Sequence, residues 1–215
     1  MARNKYPEVT VEKILDVAKR LFLQKGYEET TIQDIVDELG GLTKGAVYHH
    51  FKSKEEIIDA VSDKLFFESN PFDAVKRRTD LCGLEKMREV IHLNQADAER
   101  MKLGRQAMPI LKNPHILARM IESNLHLLTP RWLELIEEGQ RDGSIHTQYP
   151  REIAELLPLV GDLWLQPSIF PATQEELYHK FTFLADMLAR MGLPLIDEAL
   201  LQLAKQYFNT IEDTP

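Results

Sequence analysis

The chain has 215 residues, 44% of them hydrophobic, and a formal net charge of −8. That length suits one small head and one larger domain, with enough apolar content for a core in each. The lone cysteine, Cys82, excludes an internal disulfide and fits a reducing interior. No apolar run is long enough to cross a bilayer and no charged-then-apolar leader stands at the start, so no membrane partner and a cytoplasmic location are expected. The charge is unevenly placed. Residues 1–54 hold nine Lys and Arg against eight Asp and Glu, a balance of +1 that leaves −9 on the remainder. From Leu42 to Lys54 there are three lysines and two histidines and no acid. A local positive face suits contact with a polyanion, which an acidic remainder would repel.

In chain order, Arg3 and Lys5 form either a basic arm or a solvated terminus. Thr10 opens a helix whose Ile14, Ala18, Leu21 and Phe22 share one face, and Gly26 closes it. Thr31 caps a second helix with Ile32, Ile35, Val36 and Leu39 at helical spacing, stopped by Gly40 and Gly41. Thr43 caps a third, where Ala46 and Val47 are small enough to pack on the second. Lys44, Gly45, Tyr48 and His49 then point outward. Ser53 and Glu56 read as a capping box, so a fourth helix starts at Lys54 and ends at Asn70-Pro71. Two short helices joined by a glycine turn are a way of presenting one helix to the major groove of DNA.

The rest reads as helix without strands. Helices are expected over Leu84 to Ala98 and Arg100 to Leu111, then from an Asn113-Pro114 cap toward Gly139 or Arg141, with Thr129-Pro130 kinking or restarting the last of these. Others run from Pro150 to Gln166, from a Thr173/Glu176 capping box to Gly192, and from Asp197 to Thr210. The expectation is an all-α chain of about nine or ten helices, divided at residue 54 into a helix-turn-helix head (1–54) and a helical body (55–215).

The run from Val11 to Ile57 resembles the DNA-binding domain of TetR-family transcriptional regulators. Its landmarks are Phe22, Gly26-Tyr27, Thr31-Ile32-Gln33-Asp34-Ile35, Lys44 to Phe51, and Lys52 to Glu56. One departure is the turn Gly40-Gly41-Leu42, one residue longer than the family's usual turn and able to rotate the recognition helix slightly. The resemblance implies a ligand-responsive homodimer on a palindromic duplex operator, most simply a repressor released by an unknown small-molecule effector. The alternatives are a regulator that ligand drives onto DNA or an activator, and a helical interaction module that does not bind DNA. As the DNA-contacting set it points to Thr31, Thr43, Lys44, Gly45, Ala46, Tyr48, His49 and Lys54. Lys44 is a candidate for a guanine edge, with phosphate as its alternative. Gly45 lets DNA approach closely, and Tyr48 either bonds a phosphate or packs. His49 touches phosphate or base, while His50 packs or is solvated. Thr31 and Lys54 place helix starts near the strand, Lys54 adding a charge.

In the body, the helix from Arg151 to Gln166 is apolar on two sides: Ile153, Leu157, Val160 and Trp164 form one stripe, Leu156, Leu159 and Leu163 another. A surface helix needs only one. The first stripe, with Leu177, Phe181, Leu184 and Leu188, is the expected dimer interface, and a wholly internal helix is the alternative. Polar residues interrupting apolar faces mark an effector pocket. Asn124 lies on the face of Met120, while Asn94 and Gln95 follow Leu84, Met87 and Ile91, with Trp164 as a further candidate. A satisfied core amide explains the same pattern. No histidine pair has i, i+4 spacing, and no phosphate loop or nucleophile elbow is present. No enzyme activity, cofactor or metal is therefore expected.

Overall fold

The computed structural model describes residues 7–68, 70–107 and 114–209. Arg3, Lys5, the expected helix end at Leu111, the Asn113 cap and Thr210 lie outside the described residues. Within them the chain forms twelve α-helical segments and no strand. They are α1 (Pro7–Lys25), α2 (Ile32–Glu38), α3 (Lys44–His50), α4 (Lys54–Glu68), α5 (Pro71–Lys76) and α6 (Gly83–Ala96), followed by α7 (Ala98–Ala107), α8 (Pro114–Ser123), α9 (Thr129–Asp142), α10 (Pro150–Leu159), α11 (Gln174–Arg190) and α12 (Glu198–Phe208).

Local cap chemistry fixes several starts. Thr31, Thr43, Thr173 and Asp197 each accept a first-turn amide, and Thr31/Asp34 and Thr173/Glu176 close reciprocal capping boxes. The Ser53 box is shared differently: Ser53 Oγ accepts the Glu56 amide at 3.3 Å, but Glu56 takes the Lys52 amide at 2.7 Å. Two expectations shift. Helix α1 starts at Pro7, one turn before Thr10, because a proline's fixed φ and missing N–H suit a first turn. Pro71, read as a terminator, opens α5 for the same reason, which supplies a helix absent from the sequence expectation.

The chain folds as two compact units, Met1–Asn70 with Asp97–Ile116, and Pro71–Ala96 with Leu117–Pro215. The smaller holds α1–α4 and α7. Ile14, Ala18, Phe22, Ile35, Val47, Ile57, Ile58 and Val61 are all at 0% exposure there. Full burial of side chains of this size is worth about 1.5–3 kcal/mol each. Helix α4 is thus rooted in the core that holds α2 and α3.

The larger unit centres on α6, α9 and α10. Helices α6 and α9 meet backbone to backbone at Gly83 and Gly139. A Cβ on Gly83 would overlap the Gly139 backbone and lie 2.8 Å from the Leu135 carbonyl oxygen. Beside the crossing, Asp142 and Ser144 accept the Gly83 and Leu84 amides at 2.6 and 3.2 Å, and buried Lys86 pairs with Glu138 at 2.6 Å. Helix α8 passes into α9 through a π turn, Asn124–Leu128, and α10 runs into another, Val160–Trp164. Pro130 restarts α9, since it has no N–H for the carbonyl one turn back. The widened turns leave carbonyls that side chains answer. Arg131 donates to Leu127 O at 2.7 Å, and Gln166 to Gly161 O at 2.8 Å.

Candidate nucleic-acid interface

Helix α3 is short, and its inner face is decided by Val47, at 0% exposure against α2. Thr43 Oγ1 accepts the Ala46 amide at 3.2 Å and fixes the helix start. The preceding turn needs both glycines, since Gly40 and Gly41 have φ of 51° and 119°. The extra turn residue is therefore accommodated in backbone that other residues rarely adopt. What remains outward is a compact set: Thr43, Lys44, Gly45 and His49 are exposed, Tyr48 is 44% exposed, and Ala46 is half-buried. His50 is half-buried with its ring edge-on to His49.

Gly45 is instructive. A Cβ there would meet only Thr43 Oγ1, at 3.8 Å, so the protein's interior does not require glycine. Glycine inside a helix costs roughly 0.5–1 kcal/mol relative to alanine. Its retention in a seven-residue helix fits a surface approached closely from outside. Electrostatics select the same face. Arg20 pairs with Glu38 at 2.7 Å, Lys25 with Asp34 at 3.0 Å and Lys64 with Asp16 at 2.6 Å, whereas Lys44 and Lys52 have no ion pair among the described residues. Hydrogen bonds from the Thr31 backbone, Lys25 and the Thr31 hydroxyl hold Asp34 down at about 2, so the cap of α2 stays charged.

Two residues of the expected set are occupied internally. The Thr31 hydroxyl is committed to Asp34, donating to Oδ2 at 2.9 Å, which leaves the start of α2 as its contribution. Lys54, expected to bring a charge to the strand, is also held within the protein. Its Nζ donates to the Tyr27 and Glu28 carbonyls at 2.8 and 3.2 Å and lies 4.2 Å from the Tyr27 ring centroid.

The body corrects more. Asn94 is exposed and Gln95 and Met120 are half-buried, so the first does not line an interior face. Asn124 is 4% exposed on the first π turn, and its Nδ2 closes no hydrogen bond of regular geometry. It lies against Asp162, on the second π turn, which is absent from the sequence-based candidates. Burial pushes the Asp162 carboxyl up to about 6, with the Asn124 amide partly opposing this. A lone acid inside the apolar run from Leu156 to Leu165 is the signal that could have marked it. Trp164 is half-buried beside it on the same turn.

The expected dimer residues are largely core. Ile153, Leu177 and Leu188 are at 0%, Leu184 at 5% and Val160 at 7%, so they have almost no surface left for a partner. Leu157 and Phe181 are half-buried. The outward apolar side chains are Leu159 of the other stripe, Phe170 of the segment before α11 and Phe183 of α11. Leu159 is 37% exposed, Phe170 46% and Phe183 56%; Trp164 and Phe183 stack edge to face at 6.0 Å, and Lys180 lies over Trp164 and Phe170.

Comparison with known proteins agrees with the geometry of the head. The family model described as bacterial regulatory proteins, tetR family, matches residues 14–61. The chain is 28% identical to the HTH-type transcriptional repressor KstR2 of Rhodococcus jostii, across 66% of this chain and 71% of that protein. It is 40% identical to KstR2 of Mycolicibacterium smegmatis across 62% and 66%. With the regulator TtgR of Pseudomonas putida the match is 43% identical and confined to 26% of either chain. Among solved structures, a transcriptional regulator from Cytophaga hutchinsonii shares the fold at a TM-score of 0.59, with 16% identity over 93% of both chains. A TetR-family regulator from Agrobacterium tumefaciens does so at 0.54, with 20% identity over 86% of this chain and 99% of that one. These relatives are regulators, not enzymes, and no described helix is long and apolar enough to cross a membrane. An all-helical chain with a glycine-turned recognition helix, a matching family model and repressor relatives is a member of the TetR family of transcriptional regulators.

Proposed function

We propose that this regulator is a cytoplasmic homodimeric repressor that binds a palindromic operator and leaves it when a small-molecule effector enters the body. Residues 1–54 carry the DNA contacts, and residues 55–215 carry dimerisation and effector binding. The observation that carries the reading is the outer face of α3, where Lys44, Gly45, Tyr48 and His49 stand exposed with no acid from Leu42 to Lys54. Lys44 reaches a base edge and Tyr48 a phosphate, with Thr43 and Ala46 against the groove wall. One recognition helix reads few base pairs, so two heads on successive half-sites are needed. The exposed aromatic cluster of Trp164, Phe170 and Phe183 around Lys180 is the surface offered for pairing. The repressor names of the KstR2 relatives support the sign of regulation. Asn124 and Trp164, with Asp162 beside them, are the polar and aromatic groups offered to an effector.

The test is selection of duplexes from a random pool at two salt concentrations. Wild type should recover a palindrome, and Tyr48→Ala should lose it. Binding without sequence preference would refute the operator reading, and binding at neither salt would refute DNA binding altogether. A titration of the recovered duplex with candidate ligands then separates release from ligand-promoted binding.

A further inference from the structure

The first turn of α4 is tied to the end of α1 by contacts that reach across 27 positions of sequence. Lys54 Nζ lies 2.8 Å from the Tyr27 carbonyl oxygen and 3.2 Å from that of Glu28. An ammonium has three donors. Two point at carbonyls, and the Tyr27 ring, 4.2 Å from Nζ, closes a further side. The ring is itself fixed: Tyr27 is 4% exposed, packs on Phe22 at 5.5 Å, and its phenol is bonded by the Glu55 side chain. The Tyr27 carbonyl also accepts the Thr30 amide at 3.3 Å, and the Thr30 hydroxyl donates to the Gly26 carbonyl at 2.7 Å. The turn between α1 and α2 is thereby fastened to the start of α4.

We infer that Lys54 is a positioning residue for DNA reading: its ammonium clamps the α1–α2 turn onto α4 and does not neutralise a phosphate. This rests on the head being the DNA reader. Its consequence is mechanical. Helix α3 runs into α4 through Phe51, itself 8% exposed, so the clamp and Phe51 hold α1, α2 and α3 in one frame set by α4. Movement of α4 then carries the recognition helix with it. Phosphate neutralisation is left to Lys52, which has no ion pair among the described residues, while Lys44 faces the base edges.

Two measurements on Lys54→Met test it, with Lys54→Gln as a second variant should the first fail to fold by circular dichroism. The first is the salt dependence of binding to the selected duplex. A phosphate contact contributes a slope of about −0.9 in log Kobs against log salt. The clamp predicts that slope unchanged while affinity falls by at least about tenfold, the ratio given by losing even one of the two charge-assisted hydrogen bonds. A slope shallower by about 0.9 would overturn the proposal. Lys52→Met, in the same assay, should show that shallower slope. The second measurement is amide hydrogen exchange at Thr30 in the free protein, which the clamp predicts to quicken in Lys54→Met. Unchanged exchange overturns the clamp. A wild type that binds no duplex removes the DNA reading, but the exchange experiment still decides the clamp by itself.

Discussion

Replacing Asp162 with asparagine isolates the cost of its buried carboxyl. Burial raises the group from 3.8 to about 6 in the folded chain. At about 1.36 kcal/mol for each tenfold change in proton affinity, that rise amounts to about 3 kcal/mol. The sign follows from proton binding. Between the unfolded and folded values the native chain holds this proton more tightly, so the contribution of Asp162 to stability is greatest below about pH 4, falls as pH rises toward 6, and levels off above. Asp162→Asn removes this dependence and should stabilise the larger unit at pH 7.5 by up to about 3 kcal/mol. For a chain of this size that raises the unfolding midpoint by roughly 6–12 °C. At about pH 3.5 the variant and the wild type should nearly coincide, since both then carry a neutral side chain. The assay is thermal or urea unfolding of the two proteins across that range. An offset equal at both pH values, or a variant less stable at the higher pH, would show that the carboxyl is not held above its ordinary value.

A pair of identical substitutions should act in opposite directions. Gly83→Ala forces α6 and α9 apart and should cost about 1–3 kcal/mol in unfolding free energy. Gly104→Ala, where a Cβ meets nothing within 4 Å inside α7, should gain roughly 0.5–1 kcal/mol. Equal effects would mean that the close crossing is not packed as described. Phe183→Glu should leave the fold intact and give a monomer by light scattering, because its side chain is exposed. Leu177→Glu, at 0% exposure, should unfold the chain instead. A dimeric Phe183→Glu would move the interface elsewhere.

The head is readable because its determinants are local. Thr31, Thr43, Gly40 and Gly41 act within three or four residues, and so does the burial pattern of Ile35, Val36 and Val47. The role of Lys54 is hidden because its partners, the Tyr27 and Glu28 carbonyls, lie far back in sequence and offer no side-chain signal. Pro71 has two physical meanings, helix stop and helix first turn, and only the neighbouring core selects the second. On α10 both apolar stripes are visible, but which one faces inward depends on α9 and α11. Packing chooses Ile153 and Val160 for the interior and leaves Leu159 outside. The π turns leave no trace, since a helix with one widened turn keeps nearly the same residue pattern.

The polar pair at those turns bears directly on how an effector would act. Asn124 Nδ2 lacks a regular partner and Asp162 is penalised by desolvation, so the body is less stable than an apolar version of the same crossing. Polar groups kept in this condition are candidates for function, because a ligand that pairs with them recovers what burial cost. A ligand donating to Asp162 would hold the carboxylate in its charged form and bind better as pH rises through about 6. One that uses Asn124 alone would show no such dependence. The pH profile of effector binding would therefore identify which of the two side chains reads the ligand, and Asp162→Asn should flatten the profile only in the first case.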